Sequence, residues 1–124
     1  MSEKDAMLKV KRIYDVPVKS DGFRVLVDRL WPHGVSKQRA RLDLWMKEIA
    51  PSDALRKWFA HDPKRWTGFV ARYGKELSNK KELMRQIKEL EAEHGAITLL
   101  YSARDERHNQ AVALRQFIKG AHSS

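Results

Sequence analysis

Cysteine is missing from all 124 residues, which excludes disulfides, thiolate nucleophiles and every Cys-ligated metal site. Glycine is scarce, at six residues, and neither of the standard glycine-rich phosphate loops is present. No apolar run nears the roughly 20 residues that span a bilayer. Residues 1–11 are charged throughout and lack the apolar stretch of a signal peptide. A cytoplasmic protein without a membrane partner is the expectation. Acidic charge is also short, with 16 Asp and Glu against 25 Lys and Arg and a formal net charge of +9.

A basic balance favours anionic partners: phosphates, nucleotides, nucleic acid. The excess is nevertheless spread evenly, 13 basic and 9 acidic groups in residues 1–62 against 12 and 7 in residues 63–124. A solvated basic surface is the plainer explanation. The alternative is a nucleic-acid-binding surface, with Lys37, Arg39, Arg41, Lys64, Arg65 and Arg72 as its candidates.

With 42% hydrophobic residues, four Trp, four Phe and three Tyr, the chain has material for one core. Its length suits a single domain, read here as residues 8–119 between a flexible N-terminus (1–7) and a tail (120–124). Leu8–Tyr14 alternates with period two, as a half-buried strand does. Phe23–Leu30 reads as a buried strand ending near Asp28. The link between them is short for a parallel crossover, so a hairpin is open and the strand direction unsettled. Ser36–Arg41 suits a short helical turn, Leu42–Ile49 fits strand or helix, and Asp53–Phe59 reads as one or two helical turns.

Asp62 is a good N-cap, with Pro63 at the first helical position. Trp66, Phe69, Val70, Tyr73 and Leu77 then share one stripe. Asn79 with Glu82 resembles a cap for the next helix, whose stripe is Leu83, Ile87 and Leu90 and whose stop is Gly95. Ala96–Tyr101 is a buried strand, and Asp105 is expected to cap a final helix. This order gives α/β: a small, mostly parallel sheet flanked by helices in a single domain.

Open α/β sheets bind ligands beyond the carboxyl ends of their strands, and two segments place polar residues there. Asp28, Arg29, Trp31 and His33 follow the second strand. They supply an acid/base candidate, an anion clamp and a ring for a flat ligand. A carboxylate at the end of a buried strand needs a partner, which singles out Asp28. The same residues also fit a role of tying down the loop.

The second segment runs from Tyr101 through Ser102 and Arg104 to His108 and Asn109, where a strand passes into a helix whose first amides favour an anion. Ser102 lacks a glycine-flanked nucleophile elbow. His33, His61, His94, His108 and His122 do not fall at metal-ligand spacing, so no metal is expected. His61, beside a cap, fits a turn-fixing role.

Several of these segments together resemble the YeaO-like branch of a broad bacterial and archaeal family of unknown function. The resemblance rests on residues 10–15, on residues 24–32, on residues 43–52 with 55–59, and on the string from Thr98 to Asn109. It implies a compact α/β fold with Rossmann-like strands. Members of the broader family often place cysteines where this chain has Tyr101, Ser102 and His108-Asn109, so their thiol chemistry does not carry over. The YeaO-like branch commonly has arginine where His33 stands.

The expected function is therefore a site for a small anionic ligand, nucleotide- or phosphosugar-like. It is built from Asp28, Arg29, Trp31 and His33 on one side and Tyr101, Ser102, Arg104, His108 and Asn109 on the other. If the site is catalytic, Asp28 or His108 is the acid/base. The geometric requirement is that the two segments line a common cleft.

Overall fold

A computed structural model describes residues 7–122. Residues 1–6, which make up most of the expected flexible N-terminus, and residues 123–124 of the expected tail lie outside them. β1 (Met7–Arg12), β2 (Phe23–Leu26), β3 (Leu44–Trp45) and β4 (Ala96–Tyr101) form one sheet in the order β1-β4-β2-β3. All three neighbouring pairs are parallel.

No hairpin joins β1 to β2, because β4 lies between them. β4 is the most continuously apolar strand, and a central parallel strand is buried on both faces; Ile97, Leu99 and Leu100 are all fully buried. The link from β1 to β2 crosses the start of β4 through a single turn of 3₁₀ helix, Lys19–Asp21. A buried ionic cluster holds it there. Asp21 accepts from Arg24 Nη1 at 2.5 Å and Lys11 Nζ at 3.0 Å, while Arg24 Nη2 donates to the Ala40 carbonyl at 2.8 Å. Thr98 Oγ1 donates to the Asp21 carbonyl at 2.7 Å.

β2 ends at Leu26, two residues before Asp28, although Val27 N–H still reaches the Leu100 carbonyl at 3.0 Å. The ambiguous segment 42–49 splits between the two-residue edge strand β3 and a 3₁₀ turn, Lys47–Ile49.

Helix α1 (Lys37–Ala40) is capped by Ser36 and α2 (Asp53–Phe59) by Ser52. Asp62 caps a 3₁₀ turn, Pro63–Arg65, that feeds α3 (Trp66–Leu77), in which Phe69, Tyr73 and Leu77 are buried. α4 (Lys81–His94) starts without a side-chain cap, so Asn79 does not serve it; Gly95 ends it at φ +79°. α5 spans Gln110–His122. Asp105 therefore lies five residues ahead of α5, and Asn109 is the residue whose Oδ1 accepts from the Val112 N–H, at 3.0 Å.

The sheet separates two cores. Ile97, Leu99 and Tyr101 of β4 face the larger one, with Ile49, Phe69, Tyr73, Ile87 and Leu114. Leu26 and Leu100 face the smaller one, closed by Ile13, Ala40, Trp31 and Trp45. Among the described residues, no helix is long and apolar enough to cross a membrane.

Candidate functional site

The turns after β2 and β4 meet at Asp28, which is only 8% exposed. Its Oδ2 accepts from Ser102 twice, from the hydroxyl at 2.5 Å and from the backbone N–H at 3.1 Å. Its Oδ1 accepts from the side-chain amide of Gln110, at the start of α5. The register explains the meeting. Leu26 pairs with Leu100 in adjacent parallel strands, so both chains leave the sheet at the same edge. Burial pushes the Asp28 carboxyl above the usual aspartate range, opposed by the Ser102 and Gln110 hydrogen bonds and the nearby His61.

Above this network opens a cavity of about 210 Å³. Asp28, Ser102, Asn109 and Gln110 line its base. Arg29, His33, Arg56 and His61 bring the basic groups, and Leu30, Trp31, Pro32, Phe59 and Phe69 the apolar surface. Arg29 is anchored by the chain after the 3₁₀ turn, donating from Nε to the Pro51 carbonyl and from Nη2 to the Ala50 carbonyl, both at 3.1 Å. Arg56 is exposed and pairs with Asp53 at 2.8 Å on its own helix. Trp31 donates from Nε1 to the Val35 carbonyl at 2.7 Å and meets Trp45 edge-on, so its ring is fixed.

His61 reaches the cavity through an unusual backbone. Ala60 and His61 are consecutive non-glycine residues with positive φ, +49° and +56°. Such conformations are uncommon outside glycine and carry strain. They reverse the chain at the end of α2 and turn the imidazole toward the turns after β2 and β4.

Of the residues expected from sequence, Asp28, Arg29, Trp31, His33, Ser102 and Asn109 line this cavity. Tyr101, Arg104 and His108 do not. Tyr101 is buried in the larger core and Arg104 is exposed. His108 Nδ1 pairs with Asp105 Oδ2 at 2.9 Å and its ring meets Trp66 edge-on. That hydrogen bond, with the Arg107 and His108 N–H groups, holds the Asp105 carboxyl below its ordinary range. Arg56, His61 and Gln110 were missed, because each arrives from an element whose approach no local pattern marks. Among the six candidate nucleic-acid contacts, Arg65 and Arg72 stand over the Trp58 ring, at 5.3 and 3.9 Å from its centre.

Residues 7–124 match the family model described as the inactive DUF488-N3 subclade. The chain belongs to that subclade. It is similar to the uncharacterised protein YeaO of Escherichia coli, 38% identical over 112 residues that cover 90% of this chain and 96% of that protein. It is also similar to the uncharacterised protein Rv3073c of Mycobacterium tuberculosis, 35% identical over 117 residues, 94% of this chain and 98% of that one. No solved structure matches it. The YeaO-like resemblance carried by the motifs of this DUF488-N3 member is thus borne out.

Proposed function

We propose that the cavity at the carboxyl ends of β2 and β4 binds a small anionic molecule, nucleotide- or phosphosugar-like, and that the protein holds this ligand without transforming it. The observation that carries the reading is the convergence of Arg29, Arg56, His33 and His61 on a cavity with a single lining carboxylate, Asp28, whose oxygens are already engaged by Ser102 and Gln110. Guanidinium forks suit phosphate and carboxylate groups. At about 210 Å³ the cavity is smaller than the about 300–1,000 Å³ typical of drug-sized ligands. It accommodates the anionic end of such a molecule, with the rest against the apolar rim.

Binding without turnover is supported by three features. The chain has no cysteine, Asp28 is committed to structural hydrogen bonds, and the second acid/base candidate, His108, pairs with Asp105 outside the cavity. The subclade's description as inactive agrees with this.

Thermal-shift titration with inorganic phosphate, nucleoside monophosphates and pentose phosphates tests the reading. A ligand at a hundredfold excess over its Kd adds about 2.7 kcal/mol, a rise of roughly 10 °C for a domain of this size. Arg56→Met, an exposed change, is expected to reduce that rise. No shift from any of these compounds at millimolar concentration overturns the proposal. Retardation of DNA or RNA that collapses with salt moves the reading to nucleic-acid binding.

A further inference from the structure

A second cavity lies on the helical side of the molecule, away from the strand ends. α3 packs on α2 and α5, whereas α4 packs on β4 and β2, and a depression of about 390 Å³ remains between α3 and α4. Its floor is apolar: Leu77 of α3, Met84 of α4 and Phe117 of α5. The Phe117 ring lies directly over Gly74, where an added Cβ would come within 2.7 Å of the ring. Glycine there lets the ring settle against α3, and Phe117 also walls the neighbouring depression beside Trp66 and Val70. Ordinary ligand cavities occupy about 300–1,000 Å³, so the space is sufficient. Methionine adds an adaptable surface.

The rim is of one sign. Lys81, Arg85 and Lys88 line it and no acidic side chain does. Arg85 is neutralised on its own helix by Glu82 and Glu89. Among the described residues, neither Lys81 nor Lys88 has a carboxylate within ion-pair distance. These two lie on one side of α4, seven residues and about 10.5 Å apart along its axis. Both line the depression, and a lysine stem lies readily along apolar surface while its ammonium group keeps to water.

An apolar trough edged by uncompensated cations complements one class of small molecule. We propose that this depression is a binding site for a single-chain anionic amphiphile, such as a medium-chain fatty carboxylate, with its tail on Leu77, Met84 and Phe117 and its head at Lys81 or Lys88. The charge on the rim selects this occupant over a neutral apolar molecule, and the site is independent of the cavity at the strand ends.

The test uses the full chain with sodium decanoate, decanol and decyltrimethylammonium, read by thermal shift and by displacement of anilinonaphthalene sulfonate. Decanoate is expected to bind, and decanol and the cation more weakly. Lys81→Glu combined with Lys88→Glu, the first exposed and the second half-buried, is expected to weaken decanoate about tenfold, with circular dichroism and the ligand-free Tm unchanged. Arg56→Met is expected to leave decanoate binding intact. Equal binding of all three amphiphiles, an unaltered decanoate affinity in the double variant, or loss of binding in Arg56→Met each overturns the proposal. So does a concentration-dependent dimer in sedimentation that excludes the dye, since a second copy is then the occupant.

Discussion

Ser102 donates to the Asp28 carboxylate through both its hydroxyl, at 2.5 Å, and its backbone N–H, at 3.1 Å, across 74 positions of sequence. The clasp joins the turn after β2 to the turn after β4 and forms the base of the candidate site. Ser102→Ala leaves a buried carboxylate short of one donor and is expected to cost about 1–3 kcal/mol, measured by urea denaturation.

Asp28→Asn has a pH-dependent effect whose sign is fixed. Burial raises the folded-state pKa of Asp28 above that of the unfolded chain. The folded state therefore holds the proton more tightly, and the contribution of this group to stability falls as pH rises through the raised value. The neutral variant lacks that loss. Its Tm relative to the parent is expected to be highest near about pH 8 and to decline toward about pH 4. A difference that grows on acidification refutes the assignment.

Asp21 has the opposite slope. Burial opposes its charge, but hydrogen bonds from the Val18 N–H, Lys11 and Arg24 outweigh burial and lower its pKa. Its contribution is present above the unfolded aspartate value and is lost as pH falls through the lower folded value. Asp21→Asn is thus expected to flatten the acid limb of the stability profile while lowering stability at neutral pH. Arg24→Met removes the guanidinium partner of Asp21 and the donors to the Ala40 and Arg41 carbonyls. A loss of about 3–5 kcal/mol is expected by equilibrium denaturation, the range seen when a buried pair loses one member.

The crossing from β1 to β2 also depends on Gly22. It adopts φ +68°, and an added Cβ would lie 2.3 Å from the Ala96 carbonyl oxygen. Backbone crowding of this kind has no side-chain escape. Gly22→Ala is expected to cost at least about 2 kcal/mol, whereas Gly34→Ala, with open space around it and φ +77°, carries only the conformational penalty. Comparing the two Tm values separates crowding from backbone strain.

What could be read in advance followed the length of the periodic signal. The stripe from Trp66 to Leu77 spans three helical turns, and the apolar run Ala96–Tyr101 fills the centre of the sheet, so both are legible. β3 has only two residues, too few for an alternation to show. The strand direction was hidden because only a single 3₁₀ turn marks the crossing between β1 and β2; the ionic cluster of Lys11, Asp21 and Arg24 holds it in place through side-chain contacts that no periodic pattern reveals. The candidate site was half legible. Asp28 and Ser102 follow buried strands and declare themselves, whereas His61 arrives through two strained residues and Gln110 through a helix that starts later than Asp105 suggests.

That strain can be tested. Ala60 closes α2 at φ +49°, a conformation glycine adopts without penalty. Ala60→Gly is expected to raise stability by about 0.5–1 kcal/mol. The turn that presents His61 loosens at the same time, so affinity for a phosphate ligand is expected to fall. Higher Tm with weaker phosphate binding supports a positioning role for the turn. Lower Tm contradicts the account of strain.

Asn109 decides where α5 begins. It is 1% exposed, its Oδ1 accepts from the Val112 N–H at 3.0 Å and its Nδ2 donates to the Asp105 carbonyl at 2.9 Å. Asn109→Ala removes both and is expected to cost about 1–2 kcal/mol, the upper range for a lost cap. Asn109→Asp restores an acceptor at the helix N-terminus but forfeits the donor to Asp105 and adds a second buried carboxylate to the cavity that Asp28 lines. Recovery is therefore expected to be greater near about pH 4, where the new group is protonated, than at neutral pH. Full recovery at neutral pH would mean that the cap alone matters. It would also remove Asn109 as the link between the Asp105 turn and the start of α5.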